Sequence, residues 1–247
     1  MEPKKKQARV MSTERPCIYL LCGILCDARV WEAQAQVLRA DYEVRVVGFD
    51  GYDSIAAMAA GVLAGAPPRF ALAGHSMGGR VALEIMRAAP ERVERLALLD
   101  TGYEGVAEGE AERRAPLVKR AFDDGIDAIA AEWALPMLAP ARHADTTLVE
   151  DILAMVGRRS AQVYAAHTQA LLNRPDARAV LPRITCPTLL LCGLDDGWSP
   201  PKRHHEMARL IPHSVLRLIE DCGHMAPMEQ PHAVLRAMRE WLALPPQ

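Results

Sequence analysis

The chain has no surplus of positive charge. Its 29 Lys and Arg stand against 31 Asp and Glu in 247 residues, a formal net charge of -2. Little is left to neutralise phosphates, which argues against nucleic acid as a partner. It has no long hydrophobic run either: the longest, Cys17 to Cys26, is interrupted by Gly23 and falls short of the roughly 18 residues a membrane span needs. No membrane partner is expected. The polar opening MEPKKKQARVMSTERP is not followed by the apolar core of a secretory signal, so residues 1–16 read as a flexible tail and the protein as cytoplasmic. Cys-x-x-Cys pairs are missing. Cys17, Cys22, Cys186 and Cys192 lie inside apolar runs, where a free thiol acts as a small core residue, and no cysteine spacing resembles a zinc site. Repeats and low-complexity tracts are also absent, and 16 Gly and 18 Pro are scattered among 50% apolar and 24% charged residues. Disorder, collagen and coiled coil are thereby disfavoured. The length suits one domain carrying a sizeable insertion.

What is present is an alternation. Short apolar runs at 17–23, 42–50, 69–76, 93–102, 186–193 and 214–224 are separated by helical patterns near 29–40, 54–65, 77–89, 201–211 and 231–243. Several runs lack polar alternation, as strands buried on both faces do. The pattern predicts an α/β fold, a mainly parallel six-stranded sheet flanked by helices. The rhythm fails once, between Tyr103 and Pro182, where only helical patterns occur, near 106–123, 126–137, 146–158 and 160–173. The expected division is a core of 17–103 and 183–247 with a helical cap inserted at 104–182.

Chemistry gathers at the predicted strand ends. Gly74-His75-Ser76-Met77-Gly78-Gly79 has the form G-x-S-x-G where a strand meets a helix, the tight turn that lifts a serine hydroxyl above a sheet. Glycines are required where a side chain would strike adjoining backbone, and the Met77 N–H falls at a helix N-terminus suited to a developing oxyanion. Such a serine needs a base, and the base needs an orienting acid. Both partners are available later in the chain: Gly193-Leu194-Asp195-Asp196 and Asp221-Cys222-Gly223-His224 follow predicted strands. Ser76, Asp196 and His224 are the candidate catalytic residues, with Asp195 and Asp100 as alternative acids. His75 reads as packing, and the other histidines as solvated or satisfied in the core. The Ile24 N–H, after the first buried strand, is the candidate second oxyanion donor.

These segments resemble the α/β-hydrolase superfamily, and specifically its small bacterial esterase-like members, over about residues 16–244. The resemblance rests on the G-H-S-M-G-G elbow, the G-L-D-D loop, G-H-M-A-P-M-E-Q-P, and L-L-C-G-I-L-C-D-A-R-V-W as the oxyanion loop. Cys22 stands where that loop more often has His or Pro. The resemblance implies a cap over the site and a serine hydrolase that cleaves a small, mostly apolar carboxylic ester through an acyl-enzyme, without metal or organic cofactor. Lactone, thioester or carbon–carbon hydrolysis, acyl transfer or a lyase reaction could use the same three residues, and a small-molecule receptor could use the same fold. Leu25, Trp133, Met137, Tyr164, Trp198 and Met225 are the expected pocket residues. Few charged residues flank the catalytic motifs, and Arg80, on the first helical turn after the elbow, reads as a surface residue. A neutral ester or lactone is the expected partner, and the protein a monomer or homodimer.

Overall fold

The computed structural model describes residues 15–245; of the expected tail, residues 1–14 lie outside the described residues. Six strands, β1 (Cys17–Leu21), β2 (Glu43–Val47), β3 (Phe70–His75), β4 (Val93–Leu99), β5 (Thr188–Gly193) and β6 (Ser214–Ile219), form one sheet in the order β2-β1-β3-β4-β5-β6. Every pairing is parallel. The central strands explain the uninterrupted apolar runs: β1, β3 and β5 are buried along their whole length. The two edge strands have lower burial, and in β2 exposed and half-buried residues alternate at its start. Parallel pairing sends all six C-terminal ends to one side of the sheet, where crevices for ligands form.

The helices α1 (Glu32–Leu38), α2 (Ile55–Gly65), α3 (Met77–Ala88), α8 (Pro201–Leu210), α9 (Ala226–Glu229) and α10 (Pro231–Leu242) accompany the sheet. Their starts follow the chemistry of the sequence. Asp27 accepts the Arg29 N–H at 2.8 Å and begins a short 3-10 turn before α1, and the Ser54 hydroxyl accepts the Ala57 N–H ahead of α2. Pro201 opens α8, where its missing N–H costs nothing.

Between β4 and β5 come α4 (Glu110–Asp124), α5 (Ile126–Ala134), α6 (Thr146–Gly157) and α7 (Ala161–Leu172), and no strand. Asp145 and Ser160 cap α6 and α7. Helix α4 packs on α5 and α7, and α5 on α6. A nearly buried ion pair between Arg174 and Glu110, at 2.7 Å, ties the chain after α7 to the start of α4. Among the described residues no helix is long and apolar enough to cross a membrane.

Candidate active site

Strand β3 ends at His75 and α3 begins at Met77, so Ser76 alone makes the reversal. It does so at φ 54 and ψ -117, a conformation that costs a side-chain-bearing residue about 1–3 kcal/mol and persists where the surroundings impose it. A Cβ on Gly74 would run into the Gly78 carbonyl, and one on Gly78 into the Leu21 carbonyl of β1. Only glycine lets the elbow sit this close to the neighbouring strand. At Gly79 the obstacle is the Thr101 side chain rather than backbone.

The loops after β5 and β6 bring two partners to this serine. His224 Nε2 lies 2.8 Å from Ser76 Oγ, and His224 Nδ1 lies 2.9 Å from Asp196 Oδ2. The other oxygen of Asp196 accepts the Trp198 and Ser199 N–H groups, each at 2.8 Å. Burial works to raise the Asp196 carboxyl, but the His224 charge and hydrogen bond, with the two backbone donors, outweigh it and hold the group below its usual range. An ionised Asp196 keeps the proton on Nδ1 and leaves Nε2 to accept from the serine hydroxyl. Asp195 is exposed. Asp100 is fully buried but accepts the Gly193 and Ala226 N–H groups instead of His224. Burial and the adjacent Asp196 charge push its carboxyl well up.

Residues that sequence reasoning passed over hold the loops in place. His75 Nε2 donates to the His224 carbonyl at 2.7 Å, and burial, with His224 alongside, pulls its ring down to about 3, so it stays neutral. The Glu229 carboxylate accepts four bonds from the Gly223, Met225 and Ala139 N–H groups, at 2.8 to 3.0 Å. The His224 N–H donates to the Met137 carbonyl at 2.6 Å. Glu229 lies in the quoted M-E-Q-P segment, but its partners are backbone groups, which have no signature in sequence.

Ile24 and Met77 face the same space as Ser76 and His224, and among the described residues neither of their N–H groups has an acceptor. The Cys22 thiol donates to the Asp27 carbonyl at 3.3 Å, closing the loop that carries Ile24.

A model of the alpha/beta hydrolase family matches residues 18–237. The chain belongs to this family. Among relatives, a pimeloyl-[acyl-carrier protein] methyl ester esterase of Aliivibrio salmonicida is 27% identical over 224 residues, 84% of each chain. A thermophilic esterase from Thermogutta terrifontis, solved with malate bound, superposes with a TM-score of 0.83 at 32% identity, over 93% of this chain and 90% of that one. The enol-lactonase of Burkholderia xenovorans, at 22% identity and a TM-score of 0.83 over 94% of this chain and 92% of its own, shares the fold.

In this hydrolase Ser76 and His224 open into a cavity of about 940 Å³. Of the six expected pocket residues, Met137, Tyr164 and Trp198 line it. Leu25, Trp133 and Met225 do not; they are buried at 0%, 3% and 1% exposure. Leu25 has a φ of 57 and offers its N–H to His167, and the Met225 N–H is taken by Glu229. The expectation of few charged residues around the site is also corrected. Arginines at 80, 113, 114, 174 and 203 line the cavity with Glu104, Glu110 and Asp176. Arg80 is not a surface residue: the β4–α4 segment folds over it, and its guanidinium donates to the Glu104 carbonyl at 2.7 Å.

Proposed function

We propose that the chain hydrolyses carboxylic esters by a double displacement on Ser76. His224 Nε2 takes the Ser76 proton as Oγ attacks the ester carbonyl, and the Asp196 carboxylate stabilises the imidazolium and fixes its tautomer. The Ile24 and Met77 N–H groups receive the oxyanion of the tetrahedral intermediate. His224 then gives its proton to the leaving alcohol, and a water deprotonated by the same nitrogen releases the acid from the acyl-enzyme. This chemistry calls on no metal or organic cofactor. In this reading residues 104–182 are a cap: α4 and α7 supply Leu117, Tyr164 and Leu171 to the cavity wall, and the Met137 carbonyl touches the histidine loop.

The observation that supports the reading best is the continuous chain Ser76–His224–Asp196, with both links under 3 Å and the acid buried at 2% exposure. Turnover of a 4-nitrophenyl ester tests it. Ser76→Ala is expected to lower kcat by at least about a thousandfold with an unchanged circular dichroism spectrum. Equal turnover by the variant would refute it.

A further inference from the structure

The cavity wall holds more cations than anions, and the surplus falls on two residues. Arg174 and Arg114 both pair with Glu110, at 2.7 and 2.9 Å, and Arg203 pairs with Glu104 at 2.7 Å. Among the described residues neither Arg80 nor Arg113 has a carboxylate within 4.0 Å. Each makes a hydrogen bond to one carbonyl, Arg80 to Glu104 and Arg113 to Glu108. A guanidinium carries five donors, so most of Arg80's have no protein acceptor.

The position of Arg80 makes this consequential. It follows Ser76 by one turn of α3, and its N–H reaches the Ser76 carbonyl at 3.4 Å. Gly102 makes room beside it, since a Cβ there would come within 2.9 Å of Arg80 Nη2 and 2.7 Å of Arg203 Cδ. Burial, with Arg174 and Arg203 nearby, outweighs the pull of the Glu104 and Glu110 carboxylates and brings the guanidinium down to about 9, so it is still cationic at neutral pH but held at a cost. A partly buried cation with no carboxylate paired to it within 4.0 Å, open to the cavity that contains the nucleophile, favours an incoming anion that can take two parallel N–H bonds.

We propose that Arg80, with Arg113 nearer solvent, forms a carboxylate subsite, and that the substrates are esters bearing a carboxylate group away from the scissile bond. The proposal rests on the ester-hydrolase reading above and names its substrate class. The carboxylate docks on Arg80 and the intervening chain lies along Leu117, Tyr164 and Met137, which places the ester carbonyl at Ser76. Whether the carboxylate sits on the acyl or the alcohol side is decided by which of two substrate series is used.

The test compares kcat/KM for matched pairs on the wild-type enzyme. One series sets the monomethyl esters of succinate, glutarate and adipate against methyl esters of monocarboxylic acids of equal length. The other sets acetate esters of hydroxy acids against acetate esters of the corresponding alcohols. At least one carboxylate-bearing ester is expected to exceed its neutral partner by about tenfold or more, with a defined optimum length. Arg80→Gln should reduce that ratio by about tenfold and Arg80→Lys should recover part of it. Arg113→Gln, on an exposed position, should reduce it to a smaller degree. Free glutarate or adipate should protect wild-type Ser76 from a fluorophosphonate, a readout that needs no variant. Turnover of the neutral esters with no preference for any carboxylate-bearing partner, and no protection by dicarboxylates, overturns the subsite and leaves the hydrolase standing. If no ester of either kind is turned over and folded Ser76 does not label, both fall.

Discussion

His167 Nδ1 accepts the N–H of Leu25 at 3.4 Å. The histidine belongs to α7 and the leucine to the loop that carries Ile24, so a helix inserted after β4 grips the loop proposed to offer an oxyanion donor. Nε2 completes the clamp by donating to the Phe49 carbonyl at 3.1 Å, and burial pulls the ring's pKa down, favouring the neutral form this pattern needs. His167→Ala frees Leu25. Removing an oxyanion donor outright costs about a hundred- to a thousandfold in kcat, so displacing its loop is expected to cost about tenfold, with a smaller change in KM. Steady-state kinetics on a neutral ester check this.

The choice between two neighbouring aspartates has a direct test. Asp196→Asn leaves the shape intact but offers an amide to His224 Nδ1, and kcat should drop by about ten-thousandfold. Asp195 is exposed, and Asp195→Asn should stay within about twofold of wild type. The two variants, assayed side by side, reverse in rank if the acid has been misassigned.

Glu229 anchors the histidine loop and the stretch between α5 and α6 through four bonds to backbone N–H groups. Glu229→Gln keeps the volume but replaces one acceptor oxygen with a donor facing other donors. A loss of about 2 kcal/mol is expected, read as a lower midpoint in urea with unchanged slope.

His204 is fully buried in α8, where Nε2 accepts the Thr101 N–H at 3.3 Å. Burial pulls it from 6.5 to about 4. The unfolded chain therefore takes up a proton on His204 between these values and the native state does not, so this residue makes stability fall as pH falls from 6.5 to 4. His204→Gln keeps an acceptor for Thr101 and removes the titration. Its stability relative to wild type should rise on acidification by up to about 1.4 kcal/mol per pH unit in that window. Urea midpoints measured from pH 7 to 4 supply the comparison, and parallel curves would contradict it.

The sheet was legible because burial on both faces leaves an apolar run with no alternation, and the boundaries at 70–75 and 188–193 fall within a residue or two of the expected ones. The elbow was legible for a related reason: a strand, a tight turn and a helix in ten residues force glycines at fixed places. What sequence alone could not supply were partners from distant segments. Arg80 looks like a surface arginine until the chain from Asp100 to Glu104 folds across it. Leu25 and Trp133 have the composition of a pocket wall, yet pack into the core. Glu229, His75 and His167 act on backbone groups 4 to 149 positions away, with contacts set by tertiary folding.

The central claim is that Ser76 is a nucleophile activated by His224. Wild-type protein treated with a fluorophosphonate, digested and mapped by mass spectrometry tests it most directly. The account predicts a single adduct on Ser76 that forms within minutes and is lost in His224→Ala. Folded protein that stays unlabelled, or that labels on another residue with Ser76 untouched, would contradict it.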